Sequence, residues 1–250
     1  MKIAPACFAL ALSLLLPVRL ATAQTAEEII EKSLTALGGR AAHAKLKSRL
    51  TLGTIVFATP AGEISGTVEV LNAAPNRIRT LIKADLSAVG AGQLVVDQRF
   101  DGSTGYVMDT MQGNRDLSGN QLDNMRNGGF PHPFLNYKDL GITVKLAGKE
   151  KVGDRDNFVL IFDPATGSDV RQFIDAETYL PTKSVIRVDV PQLGGEIEQA
   201  NEYLDYRDVD GVKLPFRIRS TSSVQNFNVT VTKIEHNGAV DQSLFSKPAK

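Results

Sequence analysis

The pattern of apolar and polar residues changes near the beginning of the chain. Ile30, Leu34 and Leu37 recur at helical spacing, whereas from Leu46 onward apolar residues alternate with polar ones. Helical spacing places an apolar stripe along one side of a helix, and alternation gives a strand one apolar and one polar face. The pattern therefore predicts one helix followed by a long series of strands.

The predicted helix has clear start and stop signals. Thr25 is followed three positions later by Glu28, which is the spacing of a capping box. Gly38 and Gly39 follow the last apolar position, and glycine readily adopts the left-handed conformation that ends a helix. With a single apolar stripe, this helix must cover another apolar surface.

The alternating segments predict an antiparallel sheet. Turn residues such as Pro60-Ala61-Gly62, Asp101-Gly102 and Gly153-Asp154 separate them at regular intervals, which is typical of a meander that curls toward a barrel. Each strand then has one apolar face to bury. The segments with this alternation are residues 50–52, 64–70, 78–82, 94–100, 106–108, 144–146, 158–162, 170–174, 184–190, 212–218 and 227–231.

Residues 112–138 interrupt the strand pattern. A short helix is predicted there, with Leu117, Leu122 and Met125 on one face and Gly128-Gly129 at its end. A long connection of this kind inside a compact domain is usually functional or mobile. We therefore regard this insert as the first place to look for a site.

Two interpretations compete for Asp208-Val209-Asp210-Gly211. Alternate acidic residues and a glycine occur in calcium loops, but the first and last ligand positions would fall on Tyr206 and Arg217, and an arginine would repel the ion. A hairpin requires only turn-tolerant aspartates and a glycine with positive φ between two strands. We predict a hairpin, with Pro215 at a sheet edge or bulge because proline has no N–H to donate.

The first residues predict export. Lys2 precedes an apolar stretch that ends at Pro17, and Ala21-Thr22-Ala23 has the small residues of a signal peptidase site. We expect residues 1–23 to be a secretory signal that is cleaved after Ala23. A membrane anchor is the alternative, but the apolar stretch is short for a spanning helix.

Composition excludes several classes of function. Cys7 is the only cysteine and lies within the predicted signal, so residues 24–250 can have no disulfide, thiol nucleophile or thiolate metal ligand. These residues carry two more acidic than basic side chains, which gives no reason to expect nucleic acid as a partner. Their number suits a single domain, and no linker divides them.

The polar residues form no recognisable catalytic or metal-binding pattern. His43, His132 and His236 are isolated from one another in sequence, and His132, between two prolines, is the one most worth testing. Nucleophile-elbow, phosphate-loop and dinucleotide motifs are missing from the sequence. We expect no catalytic residue, no metal and no cofactor, and keep an exported hydrolase with an unrecognised site as an alternative.

Several stretches together resemble a known family. They are AEEIIEKSLTALGG, PNRIR, FDGSTGYV, GKEKVGDRDNFVLIFDPATG, RQFIDAETYLPTKSV, YLDYRDVDGVKLPFRI and DQSLFSKP. The combination resembles bacterial outer-membrane lipoprotein-sorting proteins, the LolA-like group of periplasmic carriers, and extends over nearly all of residues 24–250. Each motif is a turn or strand signature, so the resemblance informs the fold more than the cargo.

The resemblance implies a mainly β fold in which a curved antiparallel sheet of about a dozen strands forms an incomplete, half-open β-barrel. The amino-terminal helix and a short central helical lid at residues 116–127 would cover its apolar face, with Gly128-Gly129 as the hinge. Arg49 is a candidate for contacting the lid, with an exposed strand arginine as the alternative. The barrel would hold acyl chains of lipoproteins or lipids.

A soluble periplasmic carrier is accordingly the leading hypothesis. It would act as a monomer, transfer its cargo toward the outer membrane, and meet partner proteins at the inner and outer membranes. The same fold also serves in sensors of mislocalised lipoproteins, so a sensor or interaction module is the alternative. The residues expected to face the apolar cleft are Leu50, Leu52, Val68, Val70, Ile78, Leu94 and Val96 from the sheet, and Met108, Met125, Phe130 and Phe134 from the lid side.

Overall fold

The structure, a computed structural model, describes residues 24–60, 62–190 and 195–248. The predicted signal lies outside the described residues. The helices are α1 (Ala26–Ala36), α2 (Arg40–His43), α3 (Gly119–Asn127) and α4 (Pro133–Asn136), with 3₁₀ turns at Ser87–Val89 and Gln242–Phe245. Within the described ranges, no helix is long and apolar enough to cross a membrane.

Most of the described chain is strand. The strands are β1 (Ser48–Thr59), β2 (Gly62–Ala73), β3 (Arg77–Asp85), β4 (Gln93–Phe100), β5 (Gly105–Asp109), β6 (Arg115–Asp116), β7 (Thr143–Val152), β8 (Arg155–Asp163), β9 (Val170–Asp175), β10 (Pro181–Val190), β11 (Gly195–Val209), β12 (Val212–Ser222) and β13 (Asn226–His236).

All of these strands belong to one antiparallel sheet. Strands β1 to β6 and β7 to β13 are two meanders, which are joined because β1 pairs with β13. Strands β6 and β7 lie at the two ends of the sheet, so the sheet does not close on itself. The half-open antiparallel barrel predicted from the sequence is confirmed, and α3 and α4 lie in the connection between its two ends.

Helix α1 begins with the predicted capping box. The Glu28 backbone N–H donates to Thr25 Oγ1, and the Thr25 N–H donates to Glu28 Oε2, both at 3.2 Å. The apolar stripe is fully used, since Ile29, Ile30 and Leu34 are each exposed by 1% or less. They pack with α4 and with apolar side chains of β8 and β9, so α1 covers the carboxyl-terminal half of the sheet.

The end of α1 meets the predicted hairpin. Val209 pairs with Val212, and the two residues between them, Asp210 and Gly211, have φ angles of 53° and 82°, as a two-residue hairpin turn requires. A Cβ on Gly38 would lie 2.1 Å from the Gly211 carbonyl oxygen, so only glycine permits this approach. The hairpin prediction is confirmed, and the turn supports the helix end.

Pro215 lies at a local edge of the sheet, which is one of the two positions predicted for it. Strand β12 as a whole lies between β11 and β13. Its pairing with β13 runs from Arg217 to Ser220, so Pro215 lies beyond that ladder and faces Tyr206 of β11. Proline is tolerated there because no β13 acceptor requires its missing N–H.

Strand pairing assigns residues to the two faces of the sheet. Arg49, Asn72 and Ile78 lie opposite one another on β1, β2 and β3 and therefore share a face. We call this the inner face, because all three border a cavity whose other wall is the insert. Residues next to them in sequence point to the opposite, outer face.

The outer face has its own apolar cover near the carboxyl terminus. Phe245, in the 3₁₀ turn, is 1% exposed and packs in a cluster with Leu71 and Ala73. Polar contacts hold the same segment, since Arg99 Nη1 donates to the Ser246 carbonyl at 3.1 Å and Lys247 forms an ion pair with Asp116 at 2.8 Å. The segment therefore seals the outer face of the amino-terminal half.

We predict that Phe245→Ala destabilises the protein by about 3–5 kcal/mol, the usual cost of truncating a buried phenylalanine. Urea unfolding followed by circular dichroism measures the change. Leu244→Ala is the matched control, because Leu244 is only partly buried beside the same cluster and should cost clearly less. Equal effects of the two substitutions would contradict the assigned role of Phe245.

Candidate functional site

The insert covers a cavity on the inner face. Its volume is about 410 Å³, and sheet residues form one wall while α3, α4 and their connection form the other. Apolar side chains dominate where the sheet and lid face each other, with Val70, Ile78 and Leu214 from strands and Met125 and Phe134 from the insert. The cavity is therefore suited to an apolar ligand.

A second cavity of about 220 Å³ adjoins the first. The α3–α4 connection and neighbouring strands separate the two cavities. The residues that line both are Asn124, Gly128, Pro133, Phe134, Gln172 and Tyr203. Ile142, Phe162, Val170 and Ile186 make much of the second lining apolar. A long ligand that displaced the connection would have access to both spaces.

Polar contacts with the amino-terminal half of the sheet hold helix α3 over the cavity. Asn76, in the β2–β3 turn, donates from Nδ2 to the carbonyl oxygens of Met125 at 3.2 Å and Arg126 at 3.0 Å. Gln98 of β4 places its Nε2 3.1 Å from the Met125 sulfur. These contacts satisfy the carboxyl end of the helix without burying it.

Matching contacts hold α3 to the other half of the sheet. The Ser168 backbone N–H donates to Asn124 Oδ1 at 2.8 Å, and Asn127 Nδ2 donates to the Thr166 carbonyl at 2.7 Å. None of the helix residues Gly119–Asn127 is buried. An element with few buried apolar contacts opens at low free-energy cost, so α3 has the character of a lid.

The chain after α3 is anchored much more firmly. Phe130 is 3% exposed in a cluster with Leu46 and Val212, and Phe134 is 2% exposed and stacks on Phe162 with ring centroids 5.3 Å apart. Between lid and anchors, Gly129 has a φ of 61°, and a Cβ there would lie 3.2 Å from the Pro133 Cα. The change from loosely held to firmly held chain falls at the glycine pair proposed as a hinge.

Arg49 projects from β1 into the larger cavity. Its guanidinium lies 5.6 Å from the centre of the Phe130 ring, so it contacts the insert just after the lid segment, and contact with residues 116–127 stays a prediction. Burial lowers the pKa of Arg49 to about 10, which still leaves the guanidinium charged at neutral pH. This charge is the main electrostatic feature of the cavity.

His132 lies in the insert wall of the same cavity. Its Nδ1 accepts the N–H of Phe134 at 3.2 Å and so caps α4, while its ring centre is 5.4 Å from that of the buried His43. Burial, together with His43 and Arg49, lowers the pKa of His132 to about 3, and burial also lowers the pKa of His43. Both rings are therefore neutral at neutral pH.

Several other polar wall residues have partners within the protein. The hydroxyls of Tyr203 and Ser184 are 2.7 Å apart, Tyr206 donates to the Pro181 carbonyl at 2.9 Å, and Gln172 Nε2 donates to the Lys183 carbonyl at 2.8 Å. Among the described residues that line either cavity, none is Asp or Glu. The linings thus give the hydrolase alternative no carboxylate to orient His132 as a base.

Metal chemistry gains no candidate either. Within the part of the chain that the structure describes, no group of three or more His, Cys, Asp or Glu residues is placed to hold a metal ion. What the site can do follows from its shape, its apolar side chains and the positive charges of Arg49 and Lys213.

The structure brings four of the predicted cleft residues to the larger cavity: Val70, Ile78, Met125 and Phe134. Phe130 lies directly behind it against Arg49. Val68, Leu94 and Val96 also face inward, since Val68 and Leu94 pack in one inner cluster and Val96 pairs with Ile82 beside it, but they lie farther along the strands. Contact of these residues with a ligand stays a prediction.

The inward orientation predicted for Leu50, Leu52 and Met108 is wrong. Leu50 and Leu52 flank inner-face positions on β1 and pair with Leu71 and Glu69 on the outer face. Met108 pairs with Asp97, whose carboxylate binds the outer-face arginines Arg79 and Arg99. The alternation was recognised correctly, but the assignment of its faces was reversed at these positions.

Sequence reasoning missed several wall residues. Strands β9, β11 and β12, which are distant from the insert in sequence, also line the cavity. They contribute Gln172, Tyr203, Tyr206 and Lys213. No local motif marks them, because they meet the lid only through the pairing of the whole sheet. The lid contacts of Asn124 and Asn127 were also missed. The only signal for them is the number of asparagines in this helix, because a polar helix is not expected to be buried.

The arrangement described so far, a half-open antiparallel barrel with helices over its inner face, is the LolA-like fold. A LolA superfamily protein from Nitrosomonas europaea has a similar structure, with a TM-score of 0.57 and 18% identity over 90% of this chain and 99% of that chain. No family model matches the sequence, and no curated protein matches it.

Two further solved structures share the fold. A DUF1329 family protein from Desulfovibrio piger has a TM-score of 0.56 at 11% identity, covering 87% of this chain and 95% of that chain. A domain assigned as an outer membrane lipoprotein-sorting protein from Vibrio parahaemolyticus has a TM-score of 0.53 at 10% identity, covering 86% and 95%. These similarities establish the fold and leave the function to the site.

We predict that acid destabilises the protein partly through His132. An unfolded histidine titrates near pH 6.5, whereas the folded ring titrates near pH 3, so between these values the unfolded state binds the extra proton and stability falls as pH falls. Each such histidine changes the free energy of unfolding by up to about 1.4 kcal/mol per pH unit. His132→Asn retains a side-chain acceptor for the α4 cap and removes this titration.

Urea unfolding at a series of pH values from 8 to 4 measures the effect. The His132→Asn variant should show a shallower loss of stability on acidification than the wild type, because only the wild type takes up a proton at this position on unfolding below about pH 6.5. An identical pH slope in the two proteins would show that His132 is not held neutral by its surroundings.

Proposed function

We propose that the protein is an exported carrier that binds acyl chains of lipids or lipoproteins in the larger cavity. The observation that supports this most directly is an apolar cavity of about 410 Å³ beneath a helix that has no buried residue. Val70, Ile78 and Met125 provide flexible and branched apolar surface on both sides of the space. Methionine adapts readily to apolar partners of varying shape.

The affinity for such a cargo would come from removing methylene groups from water. Each buried methylene contributes about 0.8 kcal/mol, so a chain of about ten carbons gains several kcal/mol even after the cost of association. A cavity of this volume is within the usual size range for small-molecule sites, about 300–1,000 Å³. The smaller cavity behind Phe134 provides room for a longer chain when the connection moves.

Release of the cargo would depend on α3. Its hydrogen bonds to Asn76, Thr166 and Ser168 can be exchanged for hydrogen bonds to water, so opening the lid costs little. Phe130 and Phe134 would stay buried during this motion and keep the insert attached. The protein would thus enclose an acyl chain without losing its core.

The location and partners of the carrier follow from the same proposal. Residues 1–23 would direct export and be removed after Ala23, and the remaining chain would act in the periplasm as a monomer. A carrier of acyl chains needs a donor and an acceptor membrane or protein, so we propose partners at the inner and outer membranes. The fold shared with a lipoprotein-sorting domain supports this assignment.

We predict that the purified protein takes up a fluorescent fatty acid and that Met125→Asp weakens this uptake at least tenfold, because the carboxylate would be desolvated against the acyl chain. Fluorescence titration measures the affinity. Met111→Asp is the matched control: Met111 is 55% exposed, so the same substitution there should leave uptake unchanged. Circular dichroism should be the same for all three proteins.

Native mass spectrometry of protein isolated from the periplasm provides an independent test. A carrier should retain a bound acyl species of defined mass. Protein that is free of lipid and also fails to take up the fatty acid would contradict the carrier and favour the sensor alternative, whose output is a protein contact.

A further inference from the structure

Arg49 carries a charge that the protein itself does not neutralise. Among the described residues, no carboxylate or carbonyl oxygen makes a hydrogen bond or ion pair with its guanidinium, and its environment acts on it through burial alone. The contact with Phe130 at 5.6 Å is attractive but leaves the charge in place. Buried charges are rare unless they are paired, so this arrangement calls for an external partner.

Two other partly buried arginines are paired within the protein. Arg79 and Arg99 each place a guanidinium nitrogen 2.8 Å from Asp97 on the outer face. The buried Nε and Nη1 of Arg115 on β6 have no hydrogen-bond partner among the described residues, but Arg115 lines neither cavity. Arg49 differs from these three arginines because it lies in the wall of the larger cavity without a carboxylate partner in the described ranges.

The described surroundings of Arg49 in the cavity also contain no carboxylate that could neutralise it. His132, which lines the same cavity, and the buried His43 beside it are neutral, while Lys213, at the border of the same cavity, adds a second positive charge. Among the described residues lining the two cavities there is neither aspartate nor glutamate. The described cavity wall therefore contains positive charge and no carboxylate, and the guanidinium of Arg49 lies on the same face of the sheet as the apolar side chains Val70 and Ile78.

We propose that the larger cavity selects amphiphiles with a single anionic oxygen group, a carboxylate or a phosphate, which binds Arg49 while the acyl chain lies along Val70, Ile78 and Met125. This inference rests on the proposed function and specifies the cargo. The planar guanidinium donates paired hydrogen bonds that match carboxylate and phosphate oxygens, and the Phe130 ring lies 5.6 Å from it.

The test compares ligands that differ only in their head groups. Isothermal titration calorimetry measures the affinity of the wild-type protein for laurate, for the neutral 1-dodecanol and for 1-lauroyl-glycerol 3-phosphate. We expect both anions to bind about 10- to 100-fold more tightly than the alcohol, the usual effect of a charged hydrogen bond. The tighter of the two anions identifies which source of the anionic group the site fits.

Arg49→Met removes the charge and retains an apolar stem of similar length. It should abolish the preference for anions while changing the affinity for dodecanol by less than about threefold. Arg49→Lys, which keeps the charge, should retain a reduced preference. Arg217→Met is the matched control, because Arg217 is exposed and points away from the cavity. Its neighbour Ile218 pairs with the wall residue Tyr203, so Arg217 lies on the opposite face of the sheet.

The outcomes separate this inference from the proposed function. Equal affinity of the wild-type protein for laurate and dodecanol would overturn the anionic selectivity and leave an acyl carrier. Persistence of the preference in a folded Arg49→Met protein would also overturn it. If none of the three ligands binds the wild type, both the selectivity and the carrier are contradicted.

Discussion

An antiparallel sheet that does not close on itself must have its apolar inner face covered, and the rest of this structure follows from how that is achieved. Helix α1 covers the carboxyl-terminal half tightly, with Ile29, Ile30 and Leu34 almost completely buried. The insert covers the central part through asparagine contacts and two phenylalanine anchors. Because the second cover is incomplete, a cavity remains beneath it.

The two kinds of cover differ in stability and therefore in function. Burial of Phe130 and Phe134 costs several kcal/mol to reverse, whereas the polar contacts of α3 exchange readily with water. The same chain thus combines a permanent attachment with a movable lid, and Gly128-Gly129 lies between them. The positive charge of Arg49 lies in the cavity against the anchor Phe130, so it would stay in place when α3 moves.

Much of this architecture could be predicted from local sequence. The capping box, the Asp210-Gly211 turn and the strand alternation each depend on neighbouring residues, and the structure confirms them. Strand β11 was missed because its polar composition, with residues such as Glu196, Glu198 and Gln199, hides a weak alternation. The face of Leu50 and Met108 was wrong because a period of two does not specify which side is covered.

The candidate site was less predictable because it is assembled from distant segments. Arg49 and Lys213 meet only through the pairing of β1, β13 and β12, and the lack of a carboxylate near Arg49 is a property of the whole cavity.

Locking the lid tests the central claim most directly. Residues 24–250 contain no cysteine, so Asn124→Cys with Ser168→Cys places the only thiols across the lid contact. The oxidised protein should fail to take up a fluorescent fatty acid and reduction should restore uptake, whereas equal uptake by both forms would contradict an opening lid.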